Sequence, residues 1–286
     1  MYKYKLGIYE KAIPGTLSWK EMLTVAQECG YDYFEISIDE TNEKLKRLDW
    51  SKKERKLIYD LSQEVGMPFE SICLSAHRKY PLGSTTESVR IKSIEILEKA
   101  CVLACDLGIR YIMLAGYDVY YEPSSKQTKA FFIQGLKTCC EIASKYGVVL
   151  AFETMETPFM DTVEKAMKYV KEINSPYLQI YPDIGNVNNA TLLYNISYEN
   201  DIKAGKGHML AVHIKETKPG CYREVPFGTG VVDFENMLYV CWKNKIRRYV
   251  TEFWYVGQKD WKEDLQQVNK FARNILSKLE KIEEEG

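Results

Sequence analysis

Residues 148–183 read VVLAFETMETPFMDTVEKAMKYVKEINSPYLQIYPD. The first six residues are an apolar, β-forming run that ends on Glu153. Asp161 with Glu164 three residues later fits the N-cap and acidic third position of a helix start. A second β-forming run, LQIYPD, closes the stretch on Asp183. Strand, helix and strand within about 35 residues make one βαβ unit.

Outward from this unit the same alternation covers the chain. Strand-like runs fall at 5–9 (KLGIY), 32–38 (DYFEISI), 69–74 (FESICL), 110–115 (RYIMLA), 148–153 (VVLAFE), 178–183 (LQIYPD), 209–215 (MLAVHIK) and 248–254 (RYVTEFW). Ser18 with Glu21, Ser51 with Glu54 and Asp260 with Glu263 repeat the helix-start pairing, and Asp233 caps another start before Phe234. Gly30, Gly66, Gly108 and Gly147 each precede a strand, where a helix must stop. The last helix places Trp261, Leu265, Val268, Ala272, Ile275, Leu279 and Ile282 at spacings of three and four. Only 188–207, rich in asparagine, blurs its helix. Eight such units without a composition break predict a (β/α)8 TIM barrel over 1–286 as one domain. The rival, an open doubly wound sheet, usually has a glycine-rich loop after its first strand. Here that strand runs into Tyr9-Glu10-Lys11.

Composition narrows the function classes. A net charge of −1 over 286 residues argues against nucleic-acid or anionic-membrane partners, which select basic surfaces. No apolar run reaches the length of a membrane span, and the N-terminus carries no signal-peptide core. None of the eight cysteines forms a Cys-x2-Cys pair, so free thiols in a reducing, cytoplasmic setting are expected.

In a barrel of this kind the C-terminal strand ends face the active site. Four successive strand candidates end on or near Glu153, Asp183, His213 and Glu252. Three carboxylates and an imidazole suit one hard or borderline divalent ion such as Mn²⁺, Mg²⁺ or Zn²⁺. Such an ion stabilises the enediolate formed when a carbon beside a carbonyl loses its proton. Two acid–base groups on opposite faces of that planar species then epimerise the carbon. Glu153 and Glu252, on strands well separated around the mouth, fit both tasks.

The segments LGIYEKA (6–12), CLSAHRKYPLGS (73–84), LAGYDVYY (114–121), YPDIGN (181–186), AVHIKETKPG (211–220), VPFGTGVVDF (225–234) and TEFW (251–254) resemble the L-ribulose-5-phosphate (L-xylulose-5-phosphate) 3-epimerases of the xylose-isomerase-like barrels. The resemblance spans essentially the whole chain. It implies that Glu153, Asp183, His213 and Glu252 hold the ion and that the two glutamates move the proton. It further implies a ketopentose 5-phosphate substrate, a homo-oligomer (dimer or tetramer) and a role in L-ascorbate or L-gulonate breakdown. The connection from Asp183 to His213 is a few residues longer than in that family. Free-ketose 3-epimerases carry a histidine three residues after the aspartate ligand, where this chain has Asn186; this fits the phosphorylated branch. The close alternatives are a free-ketose 3-epimerase and an aldose–ketose isomerase of the hydroxypyruvate isomerase type. An apurinic endonuclease of the same superfamily needs more than the three histidines present.

Further candidates lie on the loops. His77, Arg78 and Lys79 bring cations to the mouth for a phosphate. Gly228 and Gly230 open the loop before Asp233 and permit close backbone approach to an anion, with Lys215 and Lys218 adding charge. Glu156 is placed to bind a substrate hydroxyl or to begin a helix.

Overall fold

The computed structural model describes residues 2–285. Eight strands appear where the alternation predicts them: β1 Lys5–Tyr9, β2 Tyr33–Ile38, β3 Phe69–Leu74, β4 Tyr111–Ala115, β5 Val149–Glu153, β6 Leu178–Tyr181, β7 Val212–Ile214 and β8 Arg248–Thr251. All paired neighbours are parallel and run in the order β6-β5-β4-β3-β2-β1-β8-β7. The remaining seam, β6 to β7, is joined by two parallel bridges, Ile180 to Met209 and Asp183 to His213. Pro182 has no N–H to give the ladder there, yet its carbonyl accepts from the His213 amide at 2.9 Å. The barrel is therefore nearly closed, with its loosest joint between two of the four metal-competent residues.

The helices are α1 Trp19–Glu28, α2 Asn42–Leu45, α3 Lys52–Val65, α4 Glu87–Leu107, α5 Lys126–Tyr146, α6 Val163–Ile173, α7 Ile184–Tyr194, α8 Tyr198–Ala204, α9 Phe234–Lys243 and α10 Trp261–Glu285. Ser18 and Ser51 form complete capping boxes with Glu21 and Glu54. Gly66, Gly108 and Gly147 end their helices in the left-handed conformation. Two expectations need correction. The cap of α6 is Thr162, not Asp161; the Asp161 carboxylate is taken by Lys165 at 2.6 Å and by the Tyr194 hydroxyl. The blurred asparagine-rich region is two helices, and the first begins at Ile184, immediately after Asp183.

Strand positions alternate between two cores. On β1, β2, β5 and β7, for example, even-numbered residues such as Leu6, Ile36, Leu150 and Ile214 face the helices and join one cluster that runs from Tyr4 to Leu279, whereas on β8 the parity is reversed, with Tyr249 outward and Val250 inward. Odd-numbered residues such as Tyr33, Tyr111, Ala151, Tyr181 and Ala211 fill the barrel interior. Because both faces of a parallel strand are buried, the inward row is free to change character along the barrel without exposing it. Toward the C-terminal end that row becomes Glu153, Asp183, His213 and, from β8, Glu252.

Candidate active site

Glu153, Asp183, His213 and Glu252 are all buried, and one ligand atom from each lies within 4.8 Å of the others. β5 delivers Glu153 as its last residue, and the bridge across the seam sets Asp183 beside His213. Asp183 has two roles. Its Oδ1 accepts from the Asn186 amide at 2.8 Å as the N-cap of α7, while Oδ2 turns to the cluster. Asn186 Nδ2 donates to the Thr154 carbonyl at 2.8 Å, tying the start of α7 to the end of β5.

The imidazole is oriented from behind. His213 Nε2 lies 2.6 Å from Glu35 Oε1, and both residues are completely buried. Glu35 is itself fixed by donation from the Ser71 hydroxyl at 2.6 Å and the Tyr181 hydroxyl at 3.1 Å. With Nε2–H given to Glu35, Nδ1 faces Glu153 at 3.4 Å and Glu252 at 3.2 Å. A carboxylate behind a ligating histidine fixes its tautomer and ring angle. Glu35 carried no mark in the strand alternation, although a lone charge inside YFEISI, buried on both faces, was the available signal.

The charges in this cluster are crowded. Burial raises the Glu153 carboxyl above its ordinary range, and the neighbouring Glu252 raises it further. Burial pushes Asp183 up to about 8 against the pull of Lys215. Burial also opposes ionisation of Glu252, but Lys215 and His213 outweigh it and hold that carboxyl well below its usual value. Burial disfavours a charged His213, yet Glu35 and Glu252 hold its pKa well above normal. A divalent ion at these four groups therefore competes with the Nδ1 proton. Lys215 Nζ lies 2.6 Å from Asp183 Oδ2 and 3.5 Å from Glu252 Oε2. Neither oxygen gains a well-directed hydrogen bond among the described residues. Buried carboxylate oxygens without hydrogen bonds, an oxygen-rich donor set and an aimed imidazole nitrogen together fit one divalent cation.

A cavity of about 60 Å³ opens above the cluster. Glu153 and Glu252 line it with Asn186, Lys215, Glu156 and Arg78, all singled out in the sequence. Lys11, Tyr222 and Arg223, which were not singled out, also line it. Arg223 Nη2 lies 3.0 Å from Glu156 Oε1, and Tyr117 donates its hydroxyl to the other oxygen of Glu156. Glu156 thus sits in a loop and starts no helix. A larger groove of about 530 Å³ between Phe227 and Phe271 holds none of the four metal-competent groups.

Five loop candidates from the sequence, His77, Lys79, Lys218, Gly228 and Gly230, lie outside the cavity. His77 is buried, with Nε2 3.1 Å from the Ser93 carbonyl of α4; burial pushes its pKa down to about 4. Gly228 gives its amide to Glu216 Oε2 at 3.0 Å, so that N–H is already committed. A Cβ on Gly230 would sit 2.2 Å from Glu216 Oε1 and from the Thr217 carbonyl. The Gly-x-Gly spacing therefore serves a loop wound around the buried Glu216 carboxylate, which also accepts from Val232 N at 3.2 Å.

The xylose isomerase-like TIM barrel family model matches residues 23–271. The L-ribulose-5-phosphate 3-epimerase UlaE of Salmonella heidelberg (strain SL476) is 47% identical over 230 residues, 80% of each chain. That of Shigella flexneri is 48% identical over the same share. Among solved structures, an L-ribulose 3-epimerase superposes with a TM-score of 0.76 at 18% identity, covering 98% of this chain and 97% of that one. The D-psicose 3-epimerase of Clostridium cellulolyticum H10, with D-tagatose, gives 0.79 at 14% identity over 95% and 99%. Those two likenesses bear on the fold. The family match and the sequence relatives together show that this chain belongs to the xylose isomerase-like TIM barrel family and is an isomerase, a carbohydrate 3-epimerase.

Proposed function

We propose that the chain interconverts L-xylulose 5-phosphate and L-ribulose 5-phosphate by inverting C3, with Glu153 and Glu252 as the two proton-transfer groups. The observation that carries this reading is a division within the cluster. Asp183 and His213 are completely buried, whereas Glu153 and Glu252 reach the cavity surface. The glutamates come from β5 and β8, three strands apart around the barrel. They can thus approach a bound ketose from different sides.

A divalent ion held by the four groups would supply positive charge where the substrate carbonyl oxygen gains negative charge. The chain does the rest. One glutamate oxygen takes the proton from C3, and the C–H electron pair passes into the enediolate. The other glutamate returns a proton to the opposite face of C3, so the configuration inverts and no net proton is gained or lost. The reverse reaction exchanges the two roles. Burial lifts Glu153 toward the protonated form while Lys215 and His213 hold Glu252 ionised, and two carboxyls held apart in this way suit one acid and one base. Glu156 and Arg223 present an ion pair to the substrate hydroxyls, while Tyr9 and Trp254 line the same cavity and exclude water. The phosphate on the substrate is supported by the names of the sequence relatives.

The test is isotope exchange. Enzyme loaded with Mn²⁺ or Mg²⁺ is incubated in D₂O with either ketose phosphate, and C3 is followed by NMR. One deuterium at C3 in both epimers is expected. Label at C1 would move the chain to the aldose–ketose isomerases, and no exchange at either carbon would end the proposal.

A further inference from the structure

Lys215 directly follows β7, two residues after His213, and turns inward with it. Its side chain is almost completely buried, at 4% exposed. A lysine so placed loses most of its hydration and needs carboxylates in return. It has two, since Nζ lies 2.6 Å from Asp183 Oδ2 and 3.5 Å from Glu252 Oε2. These are the same two oxygens that gain no well-directed hydrogen bond among the described residues. The ammonium therefore brings charge to both oxygens without taking up their lone pairs in directed bonds.

The other cations of the mouth are engaged elsewhere. Lys11 Nζ lies 2.5 Å from Asp39 and Arg223 Nη2 3.0 Å from Glu156, while the Arg78 guanidinium rests 4.9 Å from the Tyr120 ring centroid. Among the described residues Lys215 is thus the one lysine or arginine within ion-pair distance of the four metal-competent groups. Around it stand four buried carboxylates, those of Glu35, Glu153, Asp183 and Glu252. β7 lies between β6 and β8 in the ring, so a lysine at its end can bridge a carboxylate from each side.

We propose that Lys215 is a built-in counter-cation of the metal site. It holds Asp183 and Glu252 together in the metal-free protein, and it sets the affinity for the divalent ion, which must bind against its positive charge. This rests on the reading of the four groups as a metal site. Removing the charge has two opposed consequences. Loss of a bridge between ligands loosens the site, and losing such an outer contact costs about 10- to 100-fold in metal affinity. Loss of a positive charge a few Å from a divalent ion also removes a repulsion, and in a buried site that repulsion is the larger of the two. Net tightening follows.

Lys215→Met removes the charge at nearly constant length, and Lys215→Gln keeps a donor without the charge. Two readouts are taken at one fixed pH: the thermal midpoint with and without Mn²⁺, and the Kd of Mn²⁺ by chelator competition. In Lys215→Met the metal-free midpoint should fall, and Mn²⁺ should raise it by more than in the wild type. The Kd should drop about tenfold or more. Lys215→Gln should follow the methionine variant, because the charge and not the donor is what counts. A Kd equal to or weaker than that of the wild type overturns the assignment. A variant that folds only with Mn²⁺ supports it, whereas failure of both variants to fold even with Mn²⁺ overturns it, since the ion should replace the lost charge. If the wild type binds no Mn²⁺, the metal reading itself fails. The metal-free midpoint then still judges Lys215: a fall in both variants supports the counter-cation, and an unchanged midpoint removes it. Neither readout requires turnover, so the outcome stands apart from the epimerase reading.

Discussion

The two ends of the barrel interior share the same strands and the same inward alternation, yet they are built from opposite chemistry. Toward the N-terminal end Tyr33 and Tyr111 fill the space with rings, Tyr181 packs on Tyr111 at 6.0 Å between ring centroids, and the Tyr33 hydroxyl donates to the Tyr249 carbonyl at 3.0 Å. The ring of Tyr33 lies where Gly7 has no Cβ. At the C-terminal end Glu153, Asp183 and Glu252 crowd around His213, with one oxygen each of Asp183 and Glu252 left without a hydrogen bond. The base is satisfied and packed; the mouth crowds three carboxylates, and Lys215 and His213 offset their mutual repulsion only in part. Barrel enzymes separate stability from chemistry along this axis, and here Glu35 connects the layers, accepting from Tyr181 below and contacting His213 above.

Substitutions can break this contrast, and the largest effect belongs to the mouth. Glu153→Gln and Glu252→Gln should each lower kcat by at least ~10³-fold. In the metal-free protein the thermal midpoint of Glu153→Gln should hold or rise, because burial and then Glu252 disfavour its charge. A wild-type rate in either variant would remove that glutamate from the chemistry. Next comes the link between the layers. Glu35→Gln keeps the shape but loses the charge behind His213, so metal affinity measured by chelator competition should fall about 10- to 100-fold. An unchanged affinity would make Glu35 a packing residue only. The smallest effect on the mouth is expected from the base. In Gly7→Ala the new Cβ would lie 2.4 Å from the Tyr33 ring, which should cost about 1–3 kcal/mol in urea unfolding. Metal affinity should not move. A shift in affinity matching that of Glu35→Gln would show that the two ends are not independent.

Much of this was legible before folding. β-forming runs, serine caps and helix-ending glycines are local signals, and they located the strands to within three residues at either end. Glu153, Asp183, His213 and Glu252 were legible because a parallel barrel aligns its strand ends, which turns position along the chain into height in the fold. The shifted cap of α6 shows where local signals run out. Asp161 and Thr162 both suit an N-cap, and only the contacts of Asp161 with Lys165 and Tyr194 leave the task to Thr162.

The sequence by itself determined the repeat, the strand ends and the residue types that meet there, because periodicity and strand position are properties of a chain read in order. What each charge does was decided only by tertiary structure. Glu10 follows β1 as directly as Glu153 ends β5, yet Arg47 grips Glu10 with two bonds of 2.7 Å, so it is a strut and not a ligand. Glu216 follows β7 and winds a loop, while Glu35 lies within β2 and orients an imidazole. Arg78 stands out among the mouth cations because Asp39, Asp183 and Glu156 pair with the others. A carboxylate or a guanidinium takes its role from the counter-charge within about 3–4 Å of it, and that neighbour comes from a distant part of the chain.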